Sequence, residues 1–163
     1  MRDKSKVTHV TFSPDENTIA SSSYDGTIKL WSLDGREIRT LKQGYKDKVL
    51  SITYSPDGKI IASASHSIIK LWNQQGQELQ SIKALNCGVI TFSPNSKVIA
   101  SGANGEIKIW RCLDGREIQS LSPFMKGVYN KIAYSLCFSH DGNMIASTFG
   151  DRIVLWFITL IIY

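Results

Sequence analysis

Cysteines, histidines and long apolar runs are scarce in this chain, and each scarcity excludes a class of protein. The three cysteines, Cys87, Cys112 and Cys137, are odd in number and form no Cys-x-x-Cys pair. This argues against a disulfide framework or a cysteine metal site and favours reduced thiols in a cytoplasmic protein. No apolar run approaches the roughly 20 residues that a membrane-spanning helix needs, so we expect no membrane partner.

Recognisable catalytic chemistry is also missing from the sequence. His9, His66 and His140 lie in distant segments without metal-ligand spacing, so we expect no metal site. A Gly-x-Ser-x-Gly elbow, a Gly-x-Gly-x-x-Gly fingerprint and a phosphate loop are absent as well, which predicts a protein that is not an enzyme and needs no cofactor. The formal net charge of +5 is modest and its cations are spread along the chain, which argues against a nucleic-acid partner.

The sequence contains one motif that is repeated four times. It combines an aromatic residue before Ser-Pro or a similar pair, a strand with Ala-Ser, and a strand that ends in tryptophan, at Trp31, Trp72, Trp110 and Trp156. The spacings between these tryptophans are 72 − 31 = 41, 110 − 72 = 38 and 156 − 110 = 46 residues. A repeat of about forty residues built from short strands is typical of a propeller blade.

The chemistry within one repeat predicts four antiparallel strands. In the first repeat, Val10 and Phe12 alternate with polar residues, as in a half-buried strand. Pro14 then interrupts the ladder because proline donates no backbone hydrogen bond. The pairs Asp25-Gly26 and Asp34-Gly35 mark the next two turns. We predict blades at about 6–42, 47–83, 87–121 and 131–163.

On these motifs the chain resembles WD-repeat β-propeller proteins from about Val7 to Trp156, and its closely similar repeats are most like the bacterial members. The resemblance implies an all-β propeller of about four blades, with the tryptophans as structural anchors between blades. It also implies a buried network of His, Ser, Asp and Trp in each blade. Here no repeat keeps the His at that position, and Asp25 is the one turn aspartate that matches cleanly.

The resemblance implies a non-catalytic scaffold that binds a protein or peptide on the face made by the loops before the innermost strands and the turns between second and third strands. Carried over residue by residue, that face holds Lys6, Thr8, Tyr24, Lys48, Leu50, His66, Asn86, Ala103, Ile132, Tyr134 and Phe149. We expect Tyr24, Tyr134 and Phe149 to be exposed aromatic anchors, since aromatic residues dominate many binding sites. The alternative is that each of them simply covers a loop.

Four blades are fewer than the seven that are usual in WD-repeat rings, and the sequence lacks the usual closing strand. We therefore expect an open ring with two uncovered blade faces of on the order of 500 Å² each. Two copies pairing as a homodimer into an eight-blade ring would cover them. The alternative is a truncated fragment of a larger multidomain signalling protein, with no autonomous activity.

Overall fold

The computed structural model describes residues 5–42, 47–103, 105–122 and 133–158, and all its regular structure is β. The strands are β1 (Val7–Phe12), β2 (Thr18–Ser23), β3 (Thr27–Ser32), β4 (Glu37–Lys42), β5 (Ser51–Tyr54), β6 (Ile60–Ala64), β7 (Ile68–Asn73), β8 (Glu78–Lys83), β9 (Cys87–Phe92), β10 (Val98–Ala103), β11 (Glu106–Arg111), β12 (Glu117–Leu121), β13 (Ala133–Phe138), β14 (Met144–Phe149) and β15 (Arg152–Phe157). In these ranges, no helix is long and apolar enough to cross a bilayer.

Each sheet is a meander in which neighbouring strands along the chain are hydrogen-bonded and antiparallel. The sheets are β1-β2-β3-β4, β5-β6-β7-β8, β9-β10-β11-β12 and β13-β14-β15, and we call them blades 1 to 4. The predicted propeller-blade architecture is confirmed. The part of blade 4 from residue 159 onward lies outside the described residues.

The core is divided into three clusters, one at each interface between consecutive blades. Between blades 1 and 2, for example, Ile28 and Leu30 of β3 pack with Ile52 and Tyr54 of β5. We call the side of a blade that packs on the preceding blade its leading face, and the side that packs on the following blade its trailing face. Because side chains alternate across a strand, every blade carries one apolar set on each face.

The ring of blades is not closed. Strands β1, β5, β9 and β13 are the innermost strands and pack on one another in that order, whereas β13 and β1 do not pack together in this way. The leading face of blade 1 and the trailing face of blade 4 therefore carry exposed apolar side chains, among them Phe12 and Leu155. The expected open arc is thus observed.

Candidate functional site

The innermost strands of all four blades surround a common channel. A space of about 440 Å³ runs between segments of β1, β5, β9 and β13, and one threonine from each of the first three blades, Thr11, Thr53 and Thr91, belongs to its lining. The channel wall is therefore built from four separate repeats.

At the end of the channel where the loops before the innermost strands meet, a cavity of about 550 Å³ opens. Its lining comes from every blade: Lys6, Val7, Thr8, Tyr24, Leu50, His66, Asn86, Gly88, Gly102, Ala103, Ala133 and Tyr134. We call this cavity the channel mouth. Eight of the residues assigned to a binding face from the sequence meet here: Lys6, Thr8, Tyr24, Leu50, His66, Asn86, Ala103 and Tyr134.

Tyr24 is held in place by its neighbours on blades 1 and 2. Its backbone N–H donates to the carbonyl oxygen of Lys6 over 2.9 Å. The Lys6 and Lys48 ammonium groups lie 5.0 Å and 4.3 Å from the centroid of the Tyr24 ring. Both contacts lie within the range of cation–π attraction. Lys48 therefore belongs to the rim of the channel mouth through Tyr24.

Thr8 has a structural role at the same place. Its hydroxyl donates to the carbonyl oxygen of Val49 over 2.7 Å and shares a 2.7 Å hydrogen bond with Ser22 Oγ. The bond to Val49 joins blade 1 to the segment that enters blade 2, and the bond to Ser22 lies within blade 1. The hydroxyl of Thr8 is consequently engaged within the protein, and the residue shapes the channel mouth more than it offers a group to a partner.

Phe149 is a correction to the sequence-based expectation of an exposed anchor. The side chain is 1% exposed and lies in the core between blades 3 and 4, with its ring edge-on to Trp156 at 6.4 Å. An aromatic ring next to the β14–β15 turn finds more apolar contact in that core than at the channel mouth. Tyr134, in contrast, is exposed, and Ile132 lies outside the described residues.

Gly102 shapes the channel mouth, although sequence reasoning did not assign it a role. A Cβ built there would lie 2.6 Å from Ala133 Cβ and 3.0 Å from Val89 Cγ1, closer than side chains tolerate. Glycine thus permits β10 of blade 3 to approach β13 of blade 4. A signal existed in the sequence, since the three other repeats carry Ser22, Ala64 and Thr148 at this position.

The four repeated tryptophans are structural, and each is anchored by the serine of its Ala-Ser pair. The indole Nε1 groups of Trp31, Trp72, Trp110 and Trp156 donate to the hydroxyls of Ser21, Ser63, Ser101 and Ser147 over 2.8, 2.9, 2.8 and 2.8 Å. Asp25 instead stays in its own turn, where its carboxylate accepts from the backbone and hydroxyl of Thr27 at 3.0 and 2.6 Å. Of the His, Ser, Asp and Trp network that the resemblance implies, each blade therefore contains the hydrogen bond between Ser and Trp.

A lysine covers the tryptophan ring in blades 1 to 3, which sequence reasoning missed. In blade 2, Lys70 Nζ lies 5.5 Å from the Trp72 ring centroid and 2.6 Å from Glu78 Oε2. A register shift between Leu71 and Trp72 pairs Trp72 with Glu78. Equivalent groups recur as Lys29, Trp31 and Glu37, and as Lys108, Trp110 and Glu117. In the sequence, this arrangement corresponds to a Lys two residues before the Trp and a Glu six or seven residues after it.

The recurring aspartates after the first strand of each blade serve their turns. The Ser55 hydroxyl donates to Asp57 Oδ1 over 2.6 Å, and the Ile60 N–H donates back to Ser55 Oγ over 2.9 Å. Hydrogen bonds from serine hydroxyls lower the pKa values of the corresponding carboxyls, Asp15, Asp57 and Asp141. Carboxylates held in their charged form by local hydrogen bonds suit a structural role better than acid–base catalysis.

The histidines and cysteines do not form a reactive cluster where the structure describes them. Burial lowers the pKa of His9, whose Nδ1 accepts from the Ile52 N–H over 3.2 Å. Burial also raises the pKa values of the Cys87 and Cys112 thiols to about 12, which keeps them protonated. No group of three or more His, Cys, Asp or Glu within the described ranges is arranged to hold a metal ion.

Repeated antiparallel blades around a channel, with loops from every blade converging on its mouth, define the class as a β-propeller-type repeat protein. The sequence matches the model of the WD domain, G-beta repeat (WD40) at residues 2–32, 35–73, 77–111 and 125–157. The chain belongs to the WD40 repeat family, whose repeats imply a protein-interaction scaffold.

The chain is similar to the transcriptional corepressor LEUNIG_HOMOLOG of Arabidopsis thaliana, with 26% identity over 154 residues. The match covers 92% of this chain and 19% of the relative. The chain therefore spans about one fifth of the length of that protein.

Proposed function

We propose that this protein is a non-catalytic scaffold that binds a protein or peptide segment at the channel mouth. The observation that carries the proposal is the convergence of loops from four blades on one cavity of about 550 Å³ with two tyrosines in its lining. Tyrosine supplies a large contact area at low cost in conformational entropy, and it is enriched among residues that dominate binding. Tyr24 and Tyr134 are the proposed anchors.

The charges around Tyr24 bear on the chemistry of the partner. Lys6 and Lys48 are exposed, and both ammonium groups lie against the same ring. Among the described residues that line the cavity there is no Asp or Glu. We therefore propose a partner segment with acidic side chains, whose carboxylates pair with the two lysines while an apolar group packs on the tyrosines.

The protein is proposed to act without a cofactor, in the cytoplasm, on a protein rather than on nucleic acid or a membrane. Support for a cytoplasmic location comes from the three free cysteines, since reduced thiols are usual there. The relative is named a corepressor, which describes a regulatory role and not a catalytic one.

Peptide selection followed by quantitative binding tests the proposal. A displayed library of random peptides is panned on the protein, and the Kd of a selected peptide is then measured for the parent and for the double variant Tyr24→Ala, Tyr134→Ala. We expect the double variant to weaken binding at least tenfold, since each anchor contributes on the order of 1 kcal/mol or more.

A matched control exists at the opposite end of the strands. Leu33 and Leu113 are exposed apolar residues in the β3–β4 and β11–β12 turns, so the variant Leu33→Ala, Leu113→Ala removes similar side chains away from the channel mouth. Its Kd should equal that of the parent. Unchanged binding by the tyrosine variant, with its β circular dichroism intact, would refute the assignment of the site.

The second candidate is that the chain is a piece of a larger multidomain signalling protein without activity of its own. The specific observation in its favour is the pair of exposed apolar blade faces, which further blades of a longer polypeptide would cover. On this hypothesis the isolated chain aggregates or unfolds readily and selects no peptide at its channel mouth.

A further inference from the structure

Each interface between consecutive blades joins one trailing face to one leading face, and the chain forms three such interfaces. The exposed faces at the two ends of the arc are one face of each kind. On the trailing face of an internal blade, the third strand carries two apolar side chains that are completely buried, as Ile69 and Leu71 of blade 2 show. Their counterparts in blade 4, Ile153 and Leu155, are 76% and 60% exposed. Blade 4 thus presents a trailing face without the blade that covers it elsewhere.

The leading face of blade 1 shows the complementary situation. At internal interfaces the inner strand contributes an aliphatic and an aromatic residue, such as Ile90 and Phe92, which are 3% and 5% exposed. The counterparts in blade 1, Val10 and Phe12, are 58% and 61% exposed. The residue types match those of the internal interfaces, so this face is suited to the trailing face of a blade of the same sequence.

We propose that a second copy of this chain covers both faces in a head-to-tail arrangement. Blade 4 of each copy packs on blade 1 of the other, with Ile153 and Leu155 of one copy against Val10 and Phe12 of its partner copy. Such an interface is heterologous, because two different surfaces meet, and heterologous contacts close into a ring when the rotation permits. Two arcs of four blades make eight, which is within the range of four to eight blades typical of propellers.

The area involved is sufficient for a stable dimer. If each exposed face is on the order of 500 Å², a closed ring with two interfaces of two faces each buries on the order of 2,000 Å² in total. This exceeds the roughly 1,000 Å² that marks a specific association. A single interface, with half of that area, is at the lower limit and should hold more weakly.

Sedimentation velocity with two single-face variants tests the arrangement. Phe12→Asp blocks the leading face of blade 1, and Leu155→Asp blocks the trailing face of blade 4. We expect the parent to sediment as a dimer of twice 18.2 kDa and each variant alone to be a monomer, since each lacks one member of the required pair. Mixed together, the two variants should form a 1:1 dimer through the one intact interface.

The behaviour of each variant alone distinguishes head-to-tail packing from the alternatives. If blade 4 packed on blade 4, Phe12→Asp alone would still dimerise; if blade 1 packed on blade 1, Leu155→Asp alone would do so. Either result overturns the proposal, as does a parent that is a monodisperse monomer or an open-ended polymer. Leu113→Asp changes an exposed leucine outside both faces and should leave the dimer intact.

Folding and peptide binding are read separately in the same samples. Replacing an exposed apolar residue by aspartate should leave the β circular dichroism unchanged, and a second pair, Val10→Asp and Ile153→Asp, repeats the mixing experiment at neighbouring positions. The variants alter the blade faces and not the channel mouth. Loss of the dimer with retained peptide binding therefore tests the head-to-tail arrangement without testing the proposed function. Loss of peptide binding by a tyrosine variant that is still dimeric tests the proposed function without testing the arrangement.

Discussion

The indole Nε1 of Trp72 donates a 2.9 Å hydrogen bond to Ser63 Oγ, and both side chains are buried. The two residues lie on neighbouring strands of blade 2, β7 and β6. Because the same bond recurs in every blade, it links the two most regular features of the repeat, the Ala-Ser pair and the terminal tryptophan.

Replacing Ser63 with Ala should reduce the free energy of unfolding by about 1–2 kcal/mol, since a buried indole N–H loses its acceptor. Ser147→Ala is the matched comparison. Its partner Trp156 is only half-buried, so water can replace the lost acceptor and the reduction should be smaller. Urea denaturation followed by tryptophan fluorescence gives both values; equal effects would contradict this explanation.

The Lys70–Glu78 pair over Trp72 should respond differently to changes in its two members. Glu78→Gln removes the carboxylate from a lysine that is almost fully buried and should cost about 1 kcal/mol. Lys70→Met removes the charge but keeps the aliphatic cover of the indole, and should be nearly neutral. Urea denaturation of both variants provides the measurement. Glu117→Gln, which removes the partner of the more exposed Lys108, should give a smaller loss than Glu78→Gln. A larger loss for Lys70→Met than for Glu78→Gln would show that the ion pair itself stabilises blade 2.

The unfolding free energy should decrease as the pH falls below about 6.5, the ordinary pKa of histidine. Burial lowers the pKa of His9 in the folded protein, so the unfolded chain takes up a proton first and gains stability relative to the folded state. The folded-state advantage is complete above that pH and is lost as the pH falls toward the folded pKa. Protonation also removes the lone pair that accepts from the Ile52 N–H.

His9→Gln should flatten this part of the pH profile, because it removes the group whose pKa is lowered in the folded protein. Unfolding curves at pH 5 to 8 test the assignment. A profile that stays steep in His9→Gln would locate the titrating group elsewhere.

One thiol should react in the native protein. Cys137 is exposed on β13, whereas Cys87 and Cys112 are buried, and burial raises the pKa values of those two thiols to about 12. Because the thiolate is the reactive form, a thiol reagent at pH 8 should label one cysteine quickly and all three in denaturant. Cys137→Ser should abolish the fast phase; a remaining fast phase would mean that a buried site opens readily.

Much of the fold could be predicted from the sequence because blade structure is local. The alternation of Val10, Thr11 and Phe12 and the turn at Asp25-Gly26 act within a few residues of one another, and repetition multiplies the signal fourfold. The convergence of Lys6, Thr8, Tyr24, Leu50, His66 and Tyr134 on one cavity also follows from equivalent positions in equivalent repeats. A partner at that cavity remains a prediction.

Other features depended on contacts between segments that are distant in the chain. Phe149 looked like a loop aromatic, yet it lies in the core between blades 3 and 4. The reason for glycine at position 102 is the approach of Ala133 in β13, which is far away in the chain. The lysine before each of the first three tryptophans recurs in the sequence, but its position over the indole ring is not evident there. In blade 2 that position depends on the register shift that places Glu78 beside Trp72.

By itself the sequence determined the repeat, the four-stranded blade, the turns and the residues that share each blade face, because period-2 alternation and turn chemistry act over a few residues. Tertiary structure alone decided which of those faces are covered. Contacts between blades do not arise within one strand: Leu71 and Leu155 occupy the same position of the repeat, yet one is buried and the other exposed. Burial is a property of the neighbouring blade, and the neighbour is set by the arrangement of the ring.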